Sequence, residues 1–223
     1  MAADLTQHYV AAVADAARRG VTPRVQTLER FLEGAAATIN VSVKIFRNMS
    51  MGDNYISYYN ALAIGARKAA GATYDSHRRA VDDKVHTGYG NEIINAALSP
   101  DGRGLINYGP ITLQLLGASI EDRASVMREN SFDFYDRYHL GDRNAVEEPG
   151  WRSVWVDRAR LGVAHLEPAI SAATGDAELQ EGTSNNDDFV VGSTTLAARR
   201  SFSLLIWRGC VLRFFRQVPC SGL

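Results

Sequence analysis

The chain has 223 residues, 46% of them apolar and 22% charged, and its 24 basic and 25 acidic side chains leave a formal net charge of −1. That balance lacks the basic excess of a nucleic-acid binder, and the length suffices for one domain with a sizeable core. No run of about 18 apolar residues occurs, so a transmembrane helix is not expected.

The N-terminus shows no basic region followed by an apolar run, so no secretory signal is expected. A cytoplasmic, soluble protein is the default expectation; one exported by a signal-independent route would look the same. Cys210 and Cys220 are the two cysteines, and their spacing is not that of a CxxC zinc or redox motif.

Residues 4–19 place Leu5, Tyr9, Val10, Val13 and Ala17 at near-helical spacing, and Gly20 is a natural stop. Thr22-Pro23 restarts a helix over 23–37, with Val25, Leu28, Phe31 and Leu32 on one face. The run TINVSVKIF, 38–46, alternates Ile39, Val41, Val43 and Ile45 and predicts a strand that ends at Arg47. Residues 49–54 read as a loop. Residues 55–85 are alanine-rich and helical in character, with Gly71 splitting them. Between 86 and 107 glycines predict loops, with a short helix over Asn91 to Leu98.

The stretch 108–134 is the most patterned part of the chain. Ile111, Leu113 and Leu115 alternate with Thr112 and Gln114, and Pro110 suits the start of a strand. Ser119 is the expected N-cap of one helical turn, with Asp122 three residues on. A second strand is expected over 124–127, a polar turn over 128–131, and a short helix from Phe132 to Tyr138. Residues 139–152 read as a loop, 153–173 as a helix that Pro168 kinks or ends, and 174–188 as a polar, acidic loop. Phe189-Val190-Val191 opens a final strand. Arg199, Arg200, Arg208, Arg213 and Arg216 then mark a basic, apolar tail with strand-like runs. No internal repeat is present.

The familiar catalytic signatures are missing. The histidines His8, His77, His86, His139 and His165 form neither HxxxH nor HExxH, and no GxSxG or Walker-type loop occurs. No metal site is expected.

The remaining pieces are an arginine at a strand end (Arg47), YGPITLQL at 108–115, RASVMRENS at 123–131, and the acidic run before Phe189. Together, over about residues 40–192, they resemble the ADP-ribosyltransferase-like fold of bacterial toxins and effectors. Members carry an Arg or His at the end of an early strand, a serine on a middle strand and a glutamate near a later strand. The expected architecture is one α+β domain, with a helical segment over 1–37, an ADP-ribosyltransferase-like core over 38–198 and the tail over 199–223, and with a mixed or antiparallel sheet in the second half of the chain.

The resemblance implies NAD as substrate. Arg47 would bind the phosphates or a ribose, Ser125 or Ser131 would steady the site, and Tyr108 or Tyr89 would stack on nicotinamide. A carboxylate would stabilise the oxocarbenium-like transition state. The family's glutamate has no direct counterpart here. Asp187 and Asp188 occupy its region, and Glu178 and Glu181 lie earlier. An inactive relative is therefore one expectation, and the acceptor is a target protein or a small molecule.

Plainer readings stand beside these. A non-catalytic interaction module on the same scaffold is the alternative, and a hydrolase with a carboxylate pair is a third. Arg47 is then an exposed strand end, Ser125 and Ser131 are turn or capping residues, and Asp187-Asp188 solvate a loop. Phe132, Phe134, Tyr135 and Tyr138 are then core, and Trp151 and Trp155 anchor a helix.

Overall fold

The computed structural model describes residues 2–50, 57–65, 67–184 and 190–194. The amphipathic N-terminus forms α1 (Ala2–Arg19), stopped at Gly20, and Thr22-Pro23 opens α2 (Thr22–Glu33). α2 stops four residues short of expectation, because Ala36 already enters the sheet as the first residue of β1 (Ala36–Val41).

β1 is also shorter than its alternation predicts. Val43 and Ile45 are 62% and 40% exposed and belong to α3 (Val43–Ser50). The ladder runs out at Val41, opposite Ile111, and the Ser42 hydroxyl accepts the Ile45 N–H, which starts a helical turn. Gly71, at φ +146°, separates α4 (Tyr58–Ala63) from α5 (Ala72–Val85), as its place in the sequence predicts.

The expected helix over 91–98 is instead β2 (Ile93–Ser99). Ile93, Ile94, Ala96, Ala97 and Leu98 are all buried, so both faces of this strand are covered and no alternation betrays it. β3 (Ile111–Leu115) follows Pro110 as expected. The turn after it, α6 (Gly117–Ile120), begins two residues before Ser119 and has no side-chain cap. β4 (Ser125–Met127) falls within its predicted stretch, while α7 (Ser131–Arg137) begins one residue before the expected Phe132, and Asn130 caps it by accepting the Phe132 N–H at 2.9 Å.

The expected helix over 153–173 is interrupted at its start. It opens with β5 (Arg152–Val154) and a 3₁₀ turn at Trp155–Asp157, then becomes α8 (Arg158–Leu166), which gives way to a second such turn through Pro168. Trp151 and Trp155 therefore do not share a helix. The acidic run is no loop over most of its length: α9 (Asp176–Ser184) occupies it, held by buried Leu179. β6 (Val190–Thr194) is the last described element. The basic tail with its two cysteines, and most of the 49–54 loop, lie outside the described residues.

The sheet runs β3-β1-β2-β6-β4-β5, and every pairing in it is antiparallel. It draws β1 and β2 from the first half of the chain, so the fold is α+β with the sheet spanning both halves. One face carries Ala37, Ile39, Val41, Ile94, Ala96, Leu98, Leu113 and Val126. These join Leu28 and Leu32 of α2, Leu161 and Val163 of α8, and Leu5 and Ala16 of α1 in the main core. A smaller core, with Val81, Val85, Met127, Phe134 and Leu140, joins α5 and α7 to the other face at β4.

Candidate functional site

The second face of the sheet is mixed, with buried Ile93, Ala97 and Met127 beside polar residues, because successive residues of a strand point to opposite sides and directly paired residues share one. Thr112 lies opposite Asn40, Asn95 opposite Gly192, and Gly192 in turn opposite Ser125. Asn95, Gly192 and Ser125 thus form a row across β2, β6 and β4.

Two coverings flank the middle of that row. On the β1–β3 side the 102–109 loop is pinned down by Asn40, whose Nδ2 donates to Arg103 O and Thr112 Oγ1 at 3.0 Å and to Gly109 O at 3.3 Å. Gln114 Nε2 adds a bond to Gly102 O at 3.3 Å. On the β4–β5 side α5 and α7 close over Met127, and Arg152 Nη1 donates to Val85 O at 2.9 Å. β2 and β6 run between the coverings. Asn95 and Ser125 are half-buried there, and Asn95 Oδ1 has no hydrogen-bond partner among the described residues.

The register divides the sequence-predicted residues between the two ends of the sheet. At the end where Val41 meets Ile111, β1 leads into α3, which carries exposed Arg47 in its last turn. Arg47 is thus on a helix and not at a strand end. Tyr108, 64% exposed, stands at the same end, just before Gly109, where a Cβ would come within 2.8 Å of Ser42 N. Ser125 lies toward this end of β4. Tyr89, 57% exposed, precedes β2.

Ser131 leaves the sheet at the opposite end. It is the first residue of α7 and only 5% exposed. β6 enters at that same end, with Val190 opposite Met127. Asp187 and Asp188 lie outside the described residues, Glu181 sits in α9 with its side chain undescribed, and Glu178 is exposed on α9.

Three buried ionisable residues lie near the site and were not singled out from the sequence. Glu129, 5% exposed, sits between β4 and α7. Burial would lift its carboxyl, but the Arg137 and Arg128 guanidinium groups hold it below the usual range. Asp82, 2% exposed, accepts the Tyr59 hydroxyl at 3.0 Å and lies 3.5 Å from Arg78 Nε. Burial pushes its carboxyl up. His86 is pushed down to about 4 by burial and then by Arg152, so it is neutral at pH 7. Asp82 and His86 stand one turn apart beside Val81 and Val85, a spacing that could have marked one buried face of α5.

Among the described residues no cluster of His, Cys, Asp or Glu could hold a metal ion, and no helix is long and apolar enough to cross a membrane. The chain matches no known protein family and no curated protein.

Proposed function

We propose that this chain is an NAD-consuming enzyme, an ADP-ribosyltransferase or NAD glycohydrolase of the toxin and effector type, on an ADP-ribosyltransferase-like sheet. One observation carries the proposal. The strand that follows the acidic run is inserted between β2 and β4, so it pairs directly with the strand that bears Ser125.

In this scheme the bond between nicotinamide N1 and ribose C1′ breaks, and its electron pair neutralises the pyridinium as nicotinamide leaves. The ribosyl cation is stabilised by a carboxylate from the group Glu181, Asp187 and Asp188. A water or acceptor hydroxyl attacks C1′ and gives its proton to that carboxylate. Arg47 holds the diphosphate, Tyr108 stacks on a ring, and Ser125 and Ser131 brace the two strand ends.

A non-catalytic interaction module is the second reading. The surface where α5 meets α7 favours it. There Tyr74, 46% exposed, stacks on Phe132 at 5.8 Å, and His77 lies 5.2 Å from the same ring.

Chromatography of NAD incubated with the protein separates the two. Nicotinamide release that Arg47→Ala abolishes, and that falls in Glu181→Gln, Asp187→Asn or Asp188→Asn, supports the enzyme. No release at all, or release indifferent to all four changes, rejects it.

A further inference from the structure

We infer that the end of the sheet where β6 finishes, together with the basic tail that follows it, docks on an anionic lipid surface. The inference goes beyond the NAD reading and does not depend on it.

The strand register brings the parts to one end. β6 leaves the sheet at Thr194, opposite Ile93, the first residue of β2. β2 runs antiparallel to β1, with Ser99 opposite Ala36, so Ile93 lies toward the Val41 end of β1. Val41 in turn meets Ile111 of β3. The chain from residue 195 onward therefore starts from the same end of the sheet as α3 and the 102–109 loop.

That end exposes large apolar side chains. Val43, in the first turn of α3, is 62% exposed, Ile106 is 50% exposed and Tyr108 64%. The two segments that carry them are held against each other. A Cβ on Gly109 would lie 2.8 Å from Ser42 N, and Asn40 Nδ2 donates to Gly109 O at 3.3 Å. Apolar groups exposed together on a fixed edge mark a surface that meets something.

The charges select the partner. Residues 42–49, 102–111 and 195–223 hold eight of the 24 basic side chains and none of the 25 acidic ones. Lys44 and Arg47 are exposed on α3. β2 brings one exposed acid, Glu92, to the same end. In the tail the arginines are interleaved with apolar runs, SFSLLIW at 201–207 and VLRFF at 211–215. Basic side chains are drawn to negative headgroups, apolar ones enter the acyl boundary beneath, and tyrosine and tryptophan suit the boundary itself. A nucleic acid would match the charge but has no hydrocarbon layer for Val43 and Ile106. An anionic bilayer matches both.

Sedimentation of the full chain with lipid vesicles tests this. Vesicles of phosphatidylcholine and phosphatidylserine in equal parts should carry the protein down, and vesicles of phosphatidylcholine alone should not. Binding should fade as salt rises from about 0.1 M to about 1 M. Val43→Asp, Ile106→Asp and Lys44→Glu lie at exposed positions that the NAD scheme does not use. Each should weaken binding about fivefold or more, and Arg208→Glu combined with Arg213→Glu should weaken it further. Circular dichroism and melting temperature report whether each variant folds, and Ile106→Ser serves as the milder change if the aspartate does not.

No sedimentation with either vesicle, or equal sedimentation with both, overturns the inference. So does full binding by folded Val43→Asp and Ile106→Asp, which would leave the tail as the whole contact. Tighter binding to a single-stranded oligonucleotide than to the anionic vesicles, indifferent to those two changes, would overturn it in favour of a nucleic acid. Nicotinamide release, measured without vesicles, decides the enzyme separately.

Discussion

Arg137 grips both carboxylate oxygens of Glu129: its Nε lies 2.7 Å from Oε1 and 3.0 Å from Oε2, and its Nη2 lies 2.7 Å from Oε2. Arg128 Nε adds a fourth approach, to Oε1 at 3.2 Å. The fork fixes the corner between β4 and α7, where Ser131 begins its helix. Glu129→Gln should lower stability at neutral pH by about 1–3 kcal/mol, discounted because Arg137 is half-exposed. The folded carboxyl titrates below its ordinary 4.5, so its contribution is complete above that pH and is lost as pH falls through the folded value. Urea unfolding of wild type and variant should therefore converge in acid. A gap that stays constant down to full protonation would contradict this account.

His86 titrates in the other direction and in another window. Burial, then Arg152, moves its folded pKa from 6.5 down to about 4. The unfolded chain takes up this proton as pH falls through about 6.5 while the folded chain does not, so the native state loses stability between those limits. The loss totals about 3 kcal/mol. His86→Gln should flatten that slope, read from urea midpoints at pH 7, 6 and 5. Parallel slopes in the two proteins would show that another group dominates.

Much of the architecture is legible where an element buries only one side. α1 shows its 3.6-residue period, and β3 shows its period of two. β2 escapes because both of its faces are covered, so its Ile-Ile-Asn-Ala-Ala-Leu run carries no alternation and its alanines mimic a helix. α9 escapes for the opposite reason: Leu179 is the one large apolar residue in its sequence, too little for a visible apolar stripe. The strand before Arg47 reads too long because Val43 and Ile45 keep the alternation after the pairing has ended. At the site, Ser125 is visible on a predicted strand. The row it forms with Gly192 and Asn95 depends on strand order, which no local pattern contains. Glu129 hides in a run that looks like an ordinary polar turn, since its clamp comes from a side chain eight residues on.

Arg19 ties α1 to the segment after α8. Its guanidinium bonds the Glu167 carboxylate and also donates to Glu167 O at 2.7 Å and Ile170 O at 2.9 Å. Glu167 is 2% exposed, so Arg19→Ala strands a buried carboxylate. The stability lost should exceed that of an exposed ion pair, because the carboxylate left behind is buried. Arg19→Lys should recover less than half of it, because one ammonium cannot reach all three acceptors. Denaturant midpoints decide the matter. Full rescue by lysine would mean that charge alone, and not the fork, holds the two segments together.

Gly150 sets how closely α1 approaches the start of β5. It adopts φ +91°, and a Cβ there would lie 2.9 Å from Asp4 C and Leu5 N and 2.7 Å from His8 Cδ2. Beside it His8 stacks on Trp151 at 4.4 Å, while Arg128 sits 4.3 Å from the same indole. Gly150→Ala therefore combines left-handed strain with a clash against helix backbone, together about 2–4 kcal/mol. The damage should be local: hydrogen exchange should show α1 amides losing protection, while α5 and α7, joined through the separate smaller core, keep theirs. Unchanged protection in α1, with stability lowered by less than about 0.5 kcal/mol, would show that the helix can shift to admit the methyl group without losing its seat on the sheet.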